Sequence, residues 1–233
     1  MPLSCTTCPY RESGVLRAQP EACVANFSRR LVRYSVKGKG KTIFNQGDVT
    51  AGLYFLCEGL VKLTRVTHLG DEVTLDFLAP CSIIGGATSL QEGVRRVASA
   101  VTLGEETDVA FLKNEDYPDL LARHPTLGMG FSQHMAERLR EAYKWIANLK
   151  LPVEARVIAS LVHLCNFQTE EKNAAAVKIS VSHQDLARFA QTTPETLSRT
   201  FRRLGQRGLV RLGKRGWLSV NARALREMLA EGD

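Results

Sequence analysis

Two groups of side chains in this chain of 233 residues could do chemistry. The first is a set of six cysteines, opened by the pair Cys5-x2-Cys8, with Cys23, Cys57, Cys81 and Cys165 further on. Thiolates bind soft metals and exchange with disulfides. The second lies in PETLSRTFRRL, where Glu195 and Arg199 stand four residues apart. Arginine can donate two hydrogen bonds to guanine O6 and N7, and glutamate can accept one from cytosine N4. Such a pair can read one or two adjacent G·C pairs. The plainer use of the same two residues is a surface ion pair along one helix face.

Base reading needs a helix that begins abruptly and leans on a second one. Ser182 and Asp185 in SHQDLARFA have the spacing that caps a helix start, and Leu186, Phe189 and Ala190 mark an inner face. QTT then breaks the pattern. Thr193 suits the cap of the next helix, and Pro194 its first position, where no backbone donor is needed. This second helix should run to about Arg207 and stop before Gly208, with Leu197, Phe201 and Leu204 inward. Glu195, Ser198, Arg199 and Arg202 fall on another face near its start. The pattern is a helix-turn-helix, whose second helix enters a major groove. LVRLGKRGWLSV, 209–220, follows as two short strands around a basic turn holding Lys214 and Arg215.

The charge distribution agrees. The net charge is +7, of which residues 151–233 carry +5, and within 188–226 Glu195 is the sole acid among ten arginines and lysines. A basic block on a folded segment marks a polyanion partner, where arginines neutralise phosphates; a merely solvated face is the alternative. Double-stranded DNA is thus the expected partner, with Ser182, Thr193, Glu195, Ser198, Arg199, Arg202, Lys214 and Arg215 as its contacts.

Upstream, residues 31–115 hold short alternating or apolar runs (KTIFNQ, GLYFLCEG, LVKLTRV, EVTLDFL, VASAVTL, TDVAFL) punctuated by glycines. They predict an antiparallel barrel or roll, with a hairpin turn at Gly70–Asp71. Residues 1–30 show weak periodicity and read as a loop-rich leader. From Pro125, Leu127, Phe131, Met135, Leu139, Ala142, Ile146 and Leu149 recur every three or four residues, one stripe of a long helix. The stripe either packs on the roll or forms a coiled-coil-like dimer seam. LPVEAR, 151–156, reads as a hinge. The expected organisation is a leader (1–30), a β-roll sensor (31–115), a dimerisation helix region (116–150) and a DNA-binding domain (151–233), an α+β fold.

Hydrophobic content of 44% and charged content of 24% suit a soluble globular protein. No membrane-spanning run and no secretory signal stand out, so a cytoplasmic location with no membrane partner is expected. Cysteines there favour free thiols or metal ligation over structural disulfides. Cys57, in a strand, and Cys165, on an apolar helix, read as core residues. P-loop, HExxH and hydrolase serine motifs are missing from the sequence.

From about residue 31 onward the chain resembles the CRP/FNR superfamily of bacterial transcription regulators, on two motifs in the same order. GDVTAGLYFLCEGLVKL, 47–63, looks like the family's roll signature, and VSHQDLARFAQTTPETLSRTFRRLGQRGLV like its DNA-binding signature. Glu195, Ser198 and Arg199 match the E-x-x-S-R pattern of the FNR branch. The resemblance implies a cupin-like antiparallel β-roll, a long dimerisation helix and a winged helix-turn-helix. It implies a regulator rather than an enzyme, bound as a homodimer to an inverted repeat of TTGAT-like half-sites, nucleoid-associated, with RNA polymerase as a further partner. Gln191 stands where the family's turn usually has glycine, so a slightly reshaped turn is expected. In IIGGATSLQEGVRRVAS, Gly86 replaces the ribose-binding glutamate of the cAMP branch and Val97 follows Arg96 in place of a hydroxyl. cAMP would leave polar groups unpaired there, while Arg96 could hold another anion.

FNR-type sensors carry a [4Fe–4S] cluster on three leader cysteines and one from the roll, which implies Cys5, Cys8, Cys23 and Cys81 as metal ligands here. Fourteen residues separate Cys8 from Cys23, more than in the family. Loop closure grows slowly enough with length to allow it. The family's roll cysteine aligns near Val109, so Cys81 would substitute. Zinc or a dithiol switch at Cys5-x2-Cys8, unmetallated thiols, and haem on His68, His124 or His134 are the alternatives. Oxygen or nitric oxide acting on a cluster would release the leader and loosen the helix pair. Phe131, Met135, Leu139 and Ile146 would then form the conditional seam, with Glu141 aligned to an acid that repels its symmetry mate. A small-molecule effector in the roll is a rival gate. A CxxC thiol oxidoreductase is a rival function, lacking a βαβ pattern around the pair.

Overall fold

The computed structural model describes residues 4–86, 93–168, 176–213 and 217–230. The chain divides into two units: residues up to 71 with 75–141, and residues 142–233 with 72–74.

The first unit begins with the leader, whose described residues are loop and turn up to Pro20 apart from one 3-10 turn, Gly14–Leu16. Residues Glu21–Arg30 form a helix, α1. Cys23, Val24 and Phe27 give it a buried stripe, because a cysteine packs as a small apolar side chain. Among the described residues, eight strands follow: β1 (Val32–Lys37), β2 (Thr42–Phe44), β3 (Gly52–Glu58), β4 (Val61–Val66), β5 (Glu72–Leu78), β6 (Ile83–Ile84), β7 (Ser99–Thr102) and β8 (Glu106–Lys113). They make two four-stranded sheets, ordered β1-β8-β3-β6 and β2-β7-β4-β5. The turn between β4 and β5 closes through Thr67 N–H to Asp71 O at 2.9 Å, where the hairpin was expected.

Successive side chains of a strand face opposite ways, and β3 uses both faces. Tyr54 and Leu56 turn into the roll with Phe44, Leu78, Ile84 and Val109. Leu53, Phe55 and Cys57 turn outward, where α1, α2 (Tyr117–Arg123) and the first part of α3 (Pro125–Asn148) cover them. Phe27, Leu120, Leu127 and Phe131 complete this second core, with the Phe27 and Phe55 rings edge to face at 5.2 Å. Phe131, expected in a dimer seam, is therefore a core residue, only 4% exposed.

The second unit holds α4 (Val153–Gln168), β9 (Val177–Ser180), α5 (His183–Phe189), α6 (Pro194–Gln206), β10 (Val210–Leu212), β11 (Trp217–Val220) and α7 (Ala222–Ala230). Its sheet is ordered β10-β11-β9, with Leu218 opposite both Leu212 and Ile179. Cys165 is fully buried on α4, as expected of a core residue. Trp145, near the end of α3, stacks on Phe189 of α5 with ring centroids 4.0 Å apart and planes within 3°. That contact explains why the last turns of α3 belong to this unit. Among the described residues, no helix is long and apolar enough to cross a membrane.

Candidate functional site

The start of α6 is built by local chemistry. Ser182 caps α5: its Oγ accepts from Asp185 N–H at 3.0 Å and donates to the Asp185 carboxylate at 2.7 Å. Thr193 caps α6, its Oγ1 accepting from Thr196 N–H at 3.2 Å, and Pro194 takes the first turn. Gln191 adopts a φ of 50°, so it keeps the left-handed turn that glycine would supply. Arg156, which no sequence motif singled out, clamps that turn. Its Nε and Nη2 donate to the carbonyls of Ala190 and Gln191, each at 2.9 Å, and its Nη1 to Leu151 O at 2.8 Å. The far end of α6 closes through Leu209 N–H to Leu204 O and Gly208 N–H to Gly205 O, with Gly208 at φ 72°, the paired bonds of a glycine-terminated helix.

Leu197, Thr200, Phe201 and Leu204 bury one face of α6, leaving Glu195, Ser198, Arg199 and Arg202 exposed on the other. No ion pair closes between Glu195 and Arg199 among the described residues. Glu195 is held below the usual carboxylate range by its own backbone N–H, then by the Thr193 hydroxyl and, least, by Arg199. It thus stays an ionised acceptor at the helix start. Lys214 and Arg215 lie outside the described residues.

The basic block is not all available to phosphate. Arg203 and Arg207 pair with Glu154 at 3.1 and 3.2 Å, Arg223 pairs with Glu227, and Arg226 donates to Asn166. Arg199, Arg202 and Arg211 remain exposed without a side-chain partner among the described residues. A test follows from this division. Arg202→Ala should reduce the slope of log K against log salt by about 0.9 for each chain bound, one phosphate no longer being neutralised. Arg203→Ala should leave the slope unchanged. Titrations of labelled duplex at several salt concentrations measure both.

The long helix carries two stripes rather than one. Leu127 and Phe131 face the roll-side core, with Met135 half-buried against it. Met129, Leu139, Tyr143 and Ile146 are each more than half exposed. With exposed Ser132 and Ala136 they recur at intervals of 3, 4, 3, 4 and 3, the a/d register of a coiled-coil seam. Of the expected seam residues, Leu139 and Ile146 sit in this register and Phe131 and Met135 do not. Glu141 is exposed but falls off the register, two positions past Leu139.

In the first unit the thiols are sorted unexpectedly. Cys23 lies in the helix-side core, 1% exposed, its thiol pushed up by burial alone. It belongs to the core against which Cys5 and Cys57 pack, and its thiol donates to Gln19 Oε1 at 3.8 Å. Burial, then Cys8, Cys57 and Cys5, push the Cys81 thiol up to about 12. Burial, then Cys5, push Cys57 up to about 11, while Arg33 pulls it down. Such mutual influence requires a shared neighbourhood. Arg33 Nη2 donates to Cys5 Sγ at 3.2 Å and to Ser28 Oγ at 2.8 Å. Cys81 has a φ of 68°, which costs a non-glycine residue about 1–2 kcal/mol. Among the described residues, no three histidine, cysteine or acidic side chains close up tightly enough to grip a single metal ion.

The roll interior shows what Arg96 does. Its guanidinium is buried, donates to Gly52 O at 2.6 Å and Gly85 O at 3.0 Å, and lies 4.4 Å over the Phe44 ring. Its charge is spent on the fold, so it is not the open anion holder that the sequence suggested.

Residues 37–124 match the family model of the cyclic nucleotide-binding domain, and residues 155–228 that of the Crp-like helix-turn-helix domain. The chain is 35% identical to the cyclic AMP receptor protein of Thermus thermophilus, over 94% of this chain and 95% of that one. It is 30% identical to the global nitrogen regulator of a Synechocystis species, over 76% and 80%. Among solved structures it is similar to a CRP/FNR-family transcriptional regulator, also of Thermus thermophilus, at 25% identity and a TM-score of 0.68, covering 85% of this chain and 98% of that one.

Proposed function

The chain belongs to the CRP/FNR family of DNA-binding transcription regulators, and from that premise we propose that it binds an inverted repeat of TTGAT-like half-sites as a homodimer, gated by oxygen, nitric oxide or redox state through an iron–sulfur cluster. The observation that carries the DNA reading is the exposed face of α6. Its first turns present Glu195, Ser198 and Arg199 on a helix fixed at both ends, with the preceding turn clamped by Arg156. The heptad along α3 supports a homodimer, and two α6 helices spaced about 34 Å apart would enter successive major grooves. Double-stranded DNA as partner places the protein with the nucleoid in the cytoplasm, and RNA polymerase follows as a partner from the family.

The gate stands on the leader. When bound, an iron–sulfur cluster supplies an oxidant-sensitive tie among thiolates. Arg33 of β1 holds the leader at Cys5 Sγ, and Cys81 holds it at the Tyr10 carbonyl. Beyond them, the Val15 carbonyl rests so close to α3 that a Cβ on Gly130 would meet it at 2.4 Å. Gln19 exchanges hydrogen bonds with Thr126, Nε2 to O at 3.1 Å and Oγ1 to Oε1 at 2.9 Å. Freeing the leader therefore removes support from the first turns of the helix that carries the seam. cAMP is not the gate in this reading, because Arg96 is committed to backbone carbonyls. Were the gate a haem instead, His134 would be the candidate ligand, because its Nε2 is buried without a partner among the described residues, whereas His124 meets Asn26 at 3.1 Å and His68 is exposed.

Anisotropy titrations at fixed salt, with and without air, test the proposal. Anaerobic protein should prefer the inverted repeat over scrambled duplex by at least about 10³-fold. Equal binding to both overturns the DNA reading. A preference indifferent to air and nitric oxide overturns the gate, and a sharp Soret band would move it to haem.

A further inference from the structure

We propose that Cys5, Cys8, Cys57 and Cys81, without Cys23, are the four thiolate ligands of the cluster. The inference rests on the iron–sulfur reading above and assigns its ligands. Contacts at Cys5 and Cys81, and beside Cys8 and Cys57, carry the assignment. The N–H of Leu56, beside Cys57, donates to Ser82 O at 3.0 Å, and Leu56 O accepts from Cys81 N–H at 2.8 Å. This two-bond clamp holds Cys57 and Cys81 at adjacent rungs. The Cys81 Sγ–H donates at 2.8 Å to the carbonyl of Tyr10, two residues past Cys8. The leader backbone lies on the same turn, where a Cβ on Gly14 would meet Cys81 O at 2.7 Å. Cys5 N–H reaches Ser28 Oγ at 3.3 Å, and the same hydroxyl accepts from Arg33, which also donates to Cys5 Sγ.

The register of β3 on β8 shifts between Leu56 and Glu58, so Cys57 sits at a bulge, and it packs against the core that holds Leu53 and Phe55, as Cys5 also does. Cys81 keeps a sulfur-bearing side chain in a left-handed conformation that glycine would adopt freely. Backbone strain retained at a side chain of this chemistry points to use of that side chain. Four thiolates are the ligand number and chemistry of an iron–sulfur core, while among the described residues no three such side chains form a site for a single metal ion. On ligation each S–H proton leaves to solvent as an Fe–S bond forms. Four thiolates then outweigh the positive core, and the Arg33 guanidinium offsets part of the excess.

The full chain, reconstituted anaerobically with ferrous iron and sulfide, tests the assignment through iron and sulfide content and the visible band. Wild type should hold about four of each per chain. Cys5→Ala, Cys8→Ala, Cys57→Ala and Cys81→Ala should each fall at least fivefold, while Cys23→Ala and Cys165→Ala should match wild type. Melting of the apo forms checks folding first, and Cys57→Ser replaces Cys57→Ala if the latter is unfolded. Full loading of the Cys57 variant together with loss in Cys23→Ala overturns the ligand set and leaves the cluster standing. Wild-type protein that takes up zinc, or no metal, overturns both.

Discussion

Arg199→Ala is expected to weaken binding to the inverted repeat by about 30- to 10⁴-fold. A bidentate arginine–guanine pair discriminates by about 1–3 kcal/mol, and a dimer loses two of them. The side chain is exposed in the second turn of α6 and free of any ion pair among the described residues, so the fold loses little when it is truncated. Binding to scrambled duplex should fall far less, because only charge is lost there. The contrast separates base reading from phosphate contact. Exchanging the contacted G·C pair should hurt wild type and leave Arg199→Ala indifferent. Arg199→Lys should restore the charge without the fork and recover only the scrambled-duplex affinity. Anisotropy titration of both duplexes at one salt concentration gives all of these values. An equal loss on every duplex would make Arg199 a phosphate contact and leave sequence reading to other residues.

The recognition helix was legible because its determinants are local. Ser182 with Asp185, and Thr193 with Pro194, are caps whose partners lie within four residues, and the inner stripe of α6 has one period. Arg156 was hidden because it binds carbonyls, and no side-chain pattern announces a backbone acceptor. Its bonds to the carbonyls of Ala190 and Gln191 also show why Gln191 need not reshape the turn: they help offset a left-handed residue that costs about 1–2 kcal/mol. The proposed ligand set was less legible because it rests on long-range contacts. Cys23 is nearer to Cys5 and Cys8 in sequence than Cys57 is, but a helix over 21–30 turns Cys23 into the core. The outward face of Cys57 can be inferred from Leu53 and Phe55; the leader's seat on that face cannot. On α3 two stripes share one helix, and spacings of three and four fit either of them. Burial alone separates Leu127 and Phe131 from Leu139 and Ile146.

The second large effect follows from that separation. Leu139→Asp combined with Ile146→Asp should convert the protein to a monomer at micromolar concentration, as sedimentation would show. The two side chains are 51% and 61% exposed in the single chain, so each has apolar surface left to bury only in a partner. Burying such a side chain completely contributes about 1.5–3 kcal/mol, and the symmetric seam contains four of them. Even half of that sum, about 3–6 kcal/mol, shifts dimerisation by two decades or more. The same exposure makes the variant a clean one: its melting temperature, taken at low protein concentration, should stay within a few degrees of wild type. Phe131→Asp, by contrast, buries a charge in the core and should unfold the first unit. Affinity for the inverted repeat should collapse with the dimer, since one α6 alone reads one half-site and forgoes the gain from simultaneous engagement. A doubly substituted protein that stays dimeric and keeps its operator preference would place the seam elsewhere. It would also detach the leader's grip on Gly130 and Thr126 from DNA binding, because that grip acts only through the pairing of α3.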